Sequence, residues 1–311
     1  MVRLTALVLW CCGGRKEGDE EVAQRSSAQP VSLGPVESKS VLGSNLMQGS
    51  VSLDDTSLNL SAINLQEKEV EAAPKLLITT AEGNSVTNPV LMKINALGLE
   101  GSLRKKHDGI TYIGSVLHEG SQVLNDFVIP EDSTSLGRRH LMIRYNPSTR
   151  KYLLKDLGEG SGTFVKIDIP IPVKQGYIVS FGESHMVTQF DQSPSSYLLL
   201  RDNITLKFLD GPKVDQMFTY QPGEKTITIG RMAECDIRFE DNSLSRVQCS
   251  LSHIPGKGWM VSDGDGKKGS TNGTWLFVDD MFEVFNNMVF KAGQTLFQVL
   301  PSQARIVADF H

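Results

Sequence analysis

Two glycine-rich stretches hold the residue types best suited to chemistry on an anion. Upstream, 155–167 ("KDLGEGSGTFVKI") spaces Gly158, Gly160 and Gly162 as if the backbone were to lie close over phosphate groups. Downstream, "GSTNGTW" brings Thr271, Asn272 and Gly273 together, and two shorter blocks precede it. These are "IGR", ending in Gly230 and Arg231, and "SLSRVQ", which holds Ser245, Arg246 and Gln248. An arginine directly after a strand-ending glycine offers a rigid fork for bidentate contact with phosphate. Ser245 and Thr271 are small hydroxyl donors for the remaining oxygens, and Asn272 has both a donor and an acceptor for an extended peptide backbone. Gly273 lets the loop adopt a backbone shape closed to other residues.

Nucleotide chemistry needs more than glycines. A protein kinase would carry HRD and DFG triplets downstream, and a Walker loop would carry GK[ST] ahead of a helix. None of these triplets occurs, and strands are expected after both glycine runs. The upstream glycines are therefore turn glycines. No nucleophile, base and orienting group can be assembled from motif-like residues, so an enzyme is not expected.

The elements that must position these residues read as short strands. After Pro74 the chain runs through apolar segments such as "KLLITTAEG", "PVLMKINALG", "DFVIPED" and "YIVSFGESHMVTQF", separated by turn residues. No long 3.6-residue period appears, which predicts an all-β sandwich or barrel. The same texture returns from Ile204. There Val247, Cys249 and Leu251 alternate with Gln248, Ser250 and Ser252, which predicts a core-facing, unreactive Cys249.

Setting the halves side by side exposes an internal repeat. "ITYIGS" aligns with "ITIGR", "NDFVIPEDSTSLGRRHLMI" with "CDIRFEDNSLSRVQCSL", and "KYLLKDLGEGSGTFV" with "GWMVSDGDGKKGSTNGTWLFV". The expected layout is a disordered segment over 1–73 and a first β domain over 74–190. A linker follows over 191–202, then a second β domain over 203–303 and a tail over 304–311. The first segment is rich in Ser, Glu, Gln and Gly and lacks the apolar surface needed to offset chain entropy.

Composition restricts the partners. The 311 residues are 40% hydrophobic and 22% charged, with a net charge of −5, which argues against direct binding to nucleic acid. The four cysteines (Cys11, Cys12, Cys235, Cys249) lack CxxC spacing and the six histidines are scattered, so neither a metal nor another cofactor is expected. Sparse cysteines suit a reducing compartment, nucleus or cytoplasm. The apolar run from Leu4 to Trp10 is too short to span a bilayer. Membrane attachment would come only from S-acylation of Cys11 and Cys12.

The order "IGR", "SLSRVQ", "GSTNGTW" resembles the pattern of forkhead-associated domains, most fully in the second repeat. That resemblance implies two packed antiparallel sheets whose loops at one end bind phosphothreonine peptides. It implies that Arg231, Ser245 and Thr271 meet the phosphate and that Asn272 meets the peptide main chain. Gly230, Gln248 and Gly273 would support the loops, and Arg246 would reach either the ligand or the adjoining strand. Lys267 and Lys268, just ahead of "GSTNGT", either add positive field near the phosphate or form a solvated loop pair. One departure is Gln248, where the family usually has a bracing histidine; glutamine can donate and accept in the same way.

The first repeat keeps that histidine, His140, but has lost the phosphate-binding set. Ser115, Gly137, Gly160 and Ser161 stand where Arg231, Ser245, Thr271 and Asn272 stand, and its "SVLHEGSQVL" loop is longer. Arg138 and Arg139 are the local candidates for a substitute anion site. The expected function is a phosphothreonine-reading adaptor acting through the second domain, with the first used for packing or another contact. The alternative is a structural scaffold that binds partners without phosphate.

Overall fold

The computed structural model describes residues 67–80, 89–129, 135–190, 203–223 and 225–301. The expectations for 1–66, for the 191–202 linker and for the 304–311 tail fall outside the described residues. The stretch read as disordered over 1–73 contains a helix in its described part, α1 (Glu67–Ala72), and Ala73 belongs to a hydrophobic core.

The expected all-β architecture is present. The first repeat opens with β1 (Leu76–Thr80), β2 (Leu91–Asn95), β3 (Gly98–Leu99) and β4 (Ile110–Gly114). A small hairpin follows, β5 (His118–Glu119) and β6 (Gln122–Val123), formed by the "SVLHEGSQVL" loop that makes the first repeat longer than the second. Next come β7 (Phe127–Val128), β8 (Leu141–Asn146), β9 (Lys151–Asp156) and β10 (Thr163–Lys166). The repeat closes with β11 (Ile171–Pro172), β12 (Ile178–Phe181) and β13 (Ser184–Phe190).

The second repeat begins with β14 (Ile204–Asp210), β15 (Met217–Tyr220), β16 (Ile227–Gly230) and β17 (Ile237–Arg238). It continues through β18 (Cys249–Ile254), β19 (Gly258–Asp263) and β20 (Trp275–Phe277). It ends in β21 (Phe282–Glu283), β22 (Val289–Ala292) and β23 (Thr295–Leu300).

Pairing does not respect the repeat boundary. One eleven-stranded sheet runs β15-β14-β13-β12-β20-β10-β22-β23-β1-β2-β3, and two five-stranded sheets run β21-β9-β8-β4-β7 and β11-β19-β18-β16-β17. Strand β1 of the first repeat pairs with β23 of the second, from Leu77↔Leu300 to Thr80↔Phe297. Reciprocally, β13 pairs with β14, with Phe190↔Ile204 at one end.

The two cores follow the same exchange. Val278, Met288, Phe290, Ala292, Phe297 and Val299 from the second repeat complete the core built on Ile78, Ile94, Ile113 and Ile143. Ile167, Ile171, Val173, Val179, Phe181 and Met186 from the first complete the core built on Leu206, Ile229, Leu251 and Trp259. The crossing occurs where β10 and β20 pair, at Val165↔Leu276. Val165 lies in one core and Ile167 in the other, while Leu276 and Val278 do the converse. Each sandwich thus takes its C-terminal strands from the other repeat.

Strand β18 departs from simple alternation. Cys249 and Leu251 are buried as expected, and burial pushes the Cys249 thiol up, but Gln248 and Ser250 are buried as well. Gln248 is drawn inward by its hydrogen bonds to the loops above it. Among the described residues no helix is long and apolar enough to cross a membrane.

Candidate functional site

The loop end of the second repeat is laced together by hydrogen bonds. Beyond the end of β16 at Gly230, the Arg231 N–H donates to the Ser245 carbonyl at 3.2 Å, and the Met232 N–H to the Arg246 carbonyl at 3.2 Å. Ser245 Oγ accepts the Thr271 N–H at 2.8 Å and lies 3.2 Å from Thr271 Oγ1. Asn272 Nδ2 donates to the Ser243 carbonyl at 3.3 Å, and Trp275 Nε1 donates to the Asn272 carbonyl at 3.3 Å. Three loops distant in sequence therefore bring Arg231, Ser245, Arg246, Thr271 and Asn272 to one end of the sandwich.

Gln248 braces these loops from below. Its Oε1 accepts the Ser245 N–H at 3.1 Å, while Nε2 donates to Ser270 Oγ at 2.9 Å and to the Gly273 carbonyl at 3.0 Å. In the first repeat His140 Nδ1 accepts the Gly137 N–H at 3.0 Å, the same bond made by a different side chain. A carboxylate underlies each brace, buried at Asp156 and partly buried at Asp263. Thr274 Oγ1 donates to Asp263 Oδ1 at 2.6 Å, and Thr163 Oγ1 to Asp156 Oδ2 at 2.8 Å. Burial pushes the Asp156 carboxyl up, against the opposing pull of His140. Ser270 and Asp263 were not singled out in the sequence. The signal in the sequence is an aspartate ending the strand just before a turn glycine, Asp156 ahead of Gly158 and Asp263 ahead of Gly264.

The repeats differ most in what their cations do. Arg231 and Arg246 are exposed, and no carboxylate among the described residues pairs with either. Close by, Asp265 accepts the backbone N–H groups of Lys268 at 2.7 Å and Lys267 at 2.8 Å, which hold its carboxyl below the usual range. Its charge is thus directed at the turn.

In the first repeat the corresponding groups are already engaged. Arg138 pairs with Glu119 at 2.8 Å. Arg139 donates to the Leu124 carbonyl at 2.8 Å, and its guanidinium lies 4.2 Å from the centre of the Tyr112 ring. The Glu159 carboxylate accepts the Arg139 N–H at 2.9 Å. Ser115 and Ser161 donate to the Gly137 and Ser135 carbonyls. Gly160 has φ +71°, and a Cβ there would lie 2.4 Å from the Ser135 oxygen, so no hydroxyl-bearing residue fits without rearrangement. The loop that resembled a nucleotide lid is a turn closing onto β10.

Residues 113–182 and 227–292 match the family described as "FHA domain". A solved structure described as "Structural and functional analysis of phosphothreonine-dependent FHA domain interactions" is similar over 32% of this chain and 96% of its own. The sequence identity there is 19% and the TM-score 0.17. No curated protein matches the chain. One matched segment lies within each of the two repeats read from the sequence.

Proposed function

We propose that this chain, which carries two forkhead-associated domains in tandem, reads phosphothreonine in a partner protein through its second domain. The first domain serves packing and other protein contacts. The observation that carries this reading is the contrast in cations: Arg231 and Arg246 stand exposed without a carboxylate partner among the described residues, whereas Arg138 and Arg139 are engaged.

A phosphothreonine brings a charge near −2 and three strong acceptor oxygens. Arg231 supplies a fixed fork for two of them, and Ser245 and Thr271 supply hydroxyls that now bond one another at 3.2 Å. Arg246 adds a second cation beside them, and Asn272 holds the peptide main chain. Gly230, Gln248 and Gly273 keep the loops in register. Charge-assisted bonds contribute about 1.5–3 kcal/mol each. Three of them, less the cost of ordering the peptide, approach the ~8 kcal/mol of a micromolar complex. The partners are phosphoproteins of the nucleus or cytoplasm, and the role is that of an adaptor with no catalysis of its own.

Calorimetry on the full chain with matched phosphothreonine and threonine peptides tests this. Binding confined to the phosphorylated peptide and abolished by Arg231→Ala is expected. Equal affinity for both peptides would overturn it.

A further inference from the structure

The strand exchange places first-repeat residues against the loops of the second repeat's site. Strand β10 pairs with β20 in the register Lys166↔Trp275, and the Ile167 N–H donates to the Thr274 carbonyl at 2.9 Å. These contacts hold the segment immediately after Asn272. Lys166 itself lies across the loop. Gly273 has φ +79°, and a Cβ built on it would lie 3.1 Å from Lys166 Cε. The Lys166 stem therefore lies against Gly273, the residue that follows Thr271 and Asn272.

A second first-repeat element backs the serine loop. The turn between β12 and β13 brings Gly182 so close that a Cβ there would lie 2.8 Å from Leu244 Cδ2. Leu244 is buried and immediately precedes Ser245. Both loops that present hydroxyl groups are thus supported from the first repeat.

Besides Asp241, whose Oδ2 would lie 4.0 Å from a Cβ built on Gly182, Lys166 is the charged group among these contacts. Its ammonium lies 3.0 Å from Asp168 Oδ1, with the two side chains 35% and 39% exposed. A half-exposed pair of this kind is weak and exchanges partners readily. Released from Asp168, the Lys166 ammonium would add its charge to those of Arg231 and Arg246, which lack a carboxylate partner among the described residues.

We infer that the peptide site is composite, and that Lys166 of the first repeat contacts an anionic group of the bound phosphopeptide, either the phosphate or a flanking carboxylate. The inference rests on the phosphothreonine reading and goes beyond it. On this view the first repeat has lost its own site while supplying part of its neighbour's.

The test uses the full chain and two phosphothreonine peptides, one with alanine flanks and one with glutamate flanks. Lys166→Met keeps the stem over Gly273 and removes the charge, Lys166→Glu reverses it, and Lys166→Arg restores it. Melting curves for all three confirm folding. Lys166→Met is expected to weaken binding about fivefold and Lys166→Glu about tenfold or more, with Lys166→Arg within about twofold of wild type. Loss on the glutamate-flanked peptide alone assigns Lys166 to a flanking carboxylate, and equal loss on both assigns it to the phosphate. If wild type binds both peptides and every variant binds within twofold of it, the Lys166 contact is overturned while the phosphothreonine reading stands. If wild type binds neither peptide, both fall.

Discussion

Cutting the chain between its repeats tests the strand exchange directly. A protease site placed within 191–202, followed by cleavage, leaves two fragments that each hold half of both sandwiches. The second-repeat fragment keeps six apolar side chains in the first core, among them Phe290, Phe297 and Val299. The first-repeat fragment keeps six in the second core, among them Val179, Phe181 and Met186.

Fully burying a side chain of this size contributes about 1.5–3 kcal/mol, so the twelve together contribute on the order of 20 kcal/mol gross. That figure is an upper bound, since unfolded chains already bury some apolar surface. It still exceeds the roughly 4–15 kcal/mol lost on association. The ladders from β1 to β23 and from β13 to β14 add directional bonds that hold the fragments in register.

The cleaved protein should therefore elute from a sizing column as one species at micromolar concentration, and the fragments should separate only in denaturant. Two separately eluting, folded fragments in native buffer would refute the exchange. They would mean that each repeat closes its own sandwich.

Three further outcomes are expected. Replacing Gln248 with Ala strands the Ser245 N–H and the Gly273 carbonyl, costing about 1–3 kcal/mol. Gln248→His should recover most of it, as the His140 bond in the first repeat suggests; equal melting of the alanine variant and wild type would contradict the brace. Arg231→Lys should weaken phosphopeptide binding more than tenfold by calorimetry, because a point charge replaces a planar fork; undiminished affinity would count against bidentate contact. Burial pushes the Asp108 carboxyl up, but Arg104, bonded to both of its oxygens at 2.7 and 2.8 Å, more than offsets this and leaves it below its ordinary value. A depressed folded-state value means that the unfolded chain binds the proton first, so this contribution is present above about pH 4 and lost as pH falls through the folded value. Thermal melts of wild type and Asp108→Asn should differ at pH 7 and draw together only as pH falls from about 4 through the folded value; a gap independent of pH would disprove the linkage.

Much of this protein is legible in one dimension because the signals are local. A turn needs its glycine and a strand needs its alternation, so the two repeats and the three blocks around Arg231, Ser245 and Thr271 stand out in the sequence. The absence of donors at Gly137 and Gly160 is equally plain, since a missing side chain cannot be supplied by folding. Even the substitution at Gln248 follows from what an amide and an imidazole have in common. Tertiary structure decides what depends on distant partners. Whether Arg138 and Arg139 are available to a ligand rests on Glu119, Leu124 and Tyr112, which no spacing rule places beside them. Which C-terminal strands complete which sandwich is likewise undetermined by pattern, because both strand pairs carry apolar residues that suit either core. The pairing of β10 with β20 settles it, since a strand passing through that point must enter the opposite core. Lys166 escapes a sequence reading for the same reason: it reaches Gly273 across a sheet that only the exchange assembles.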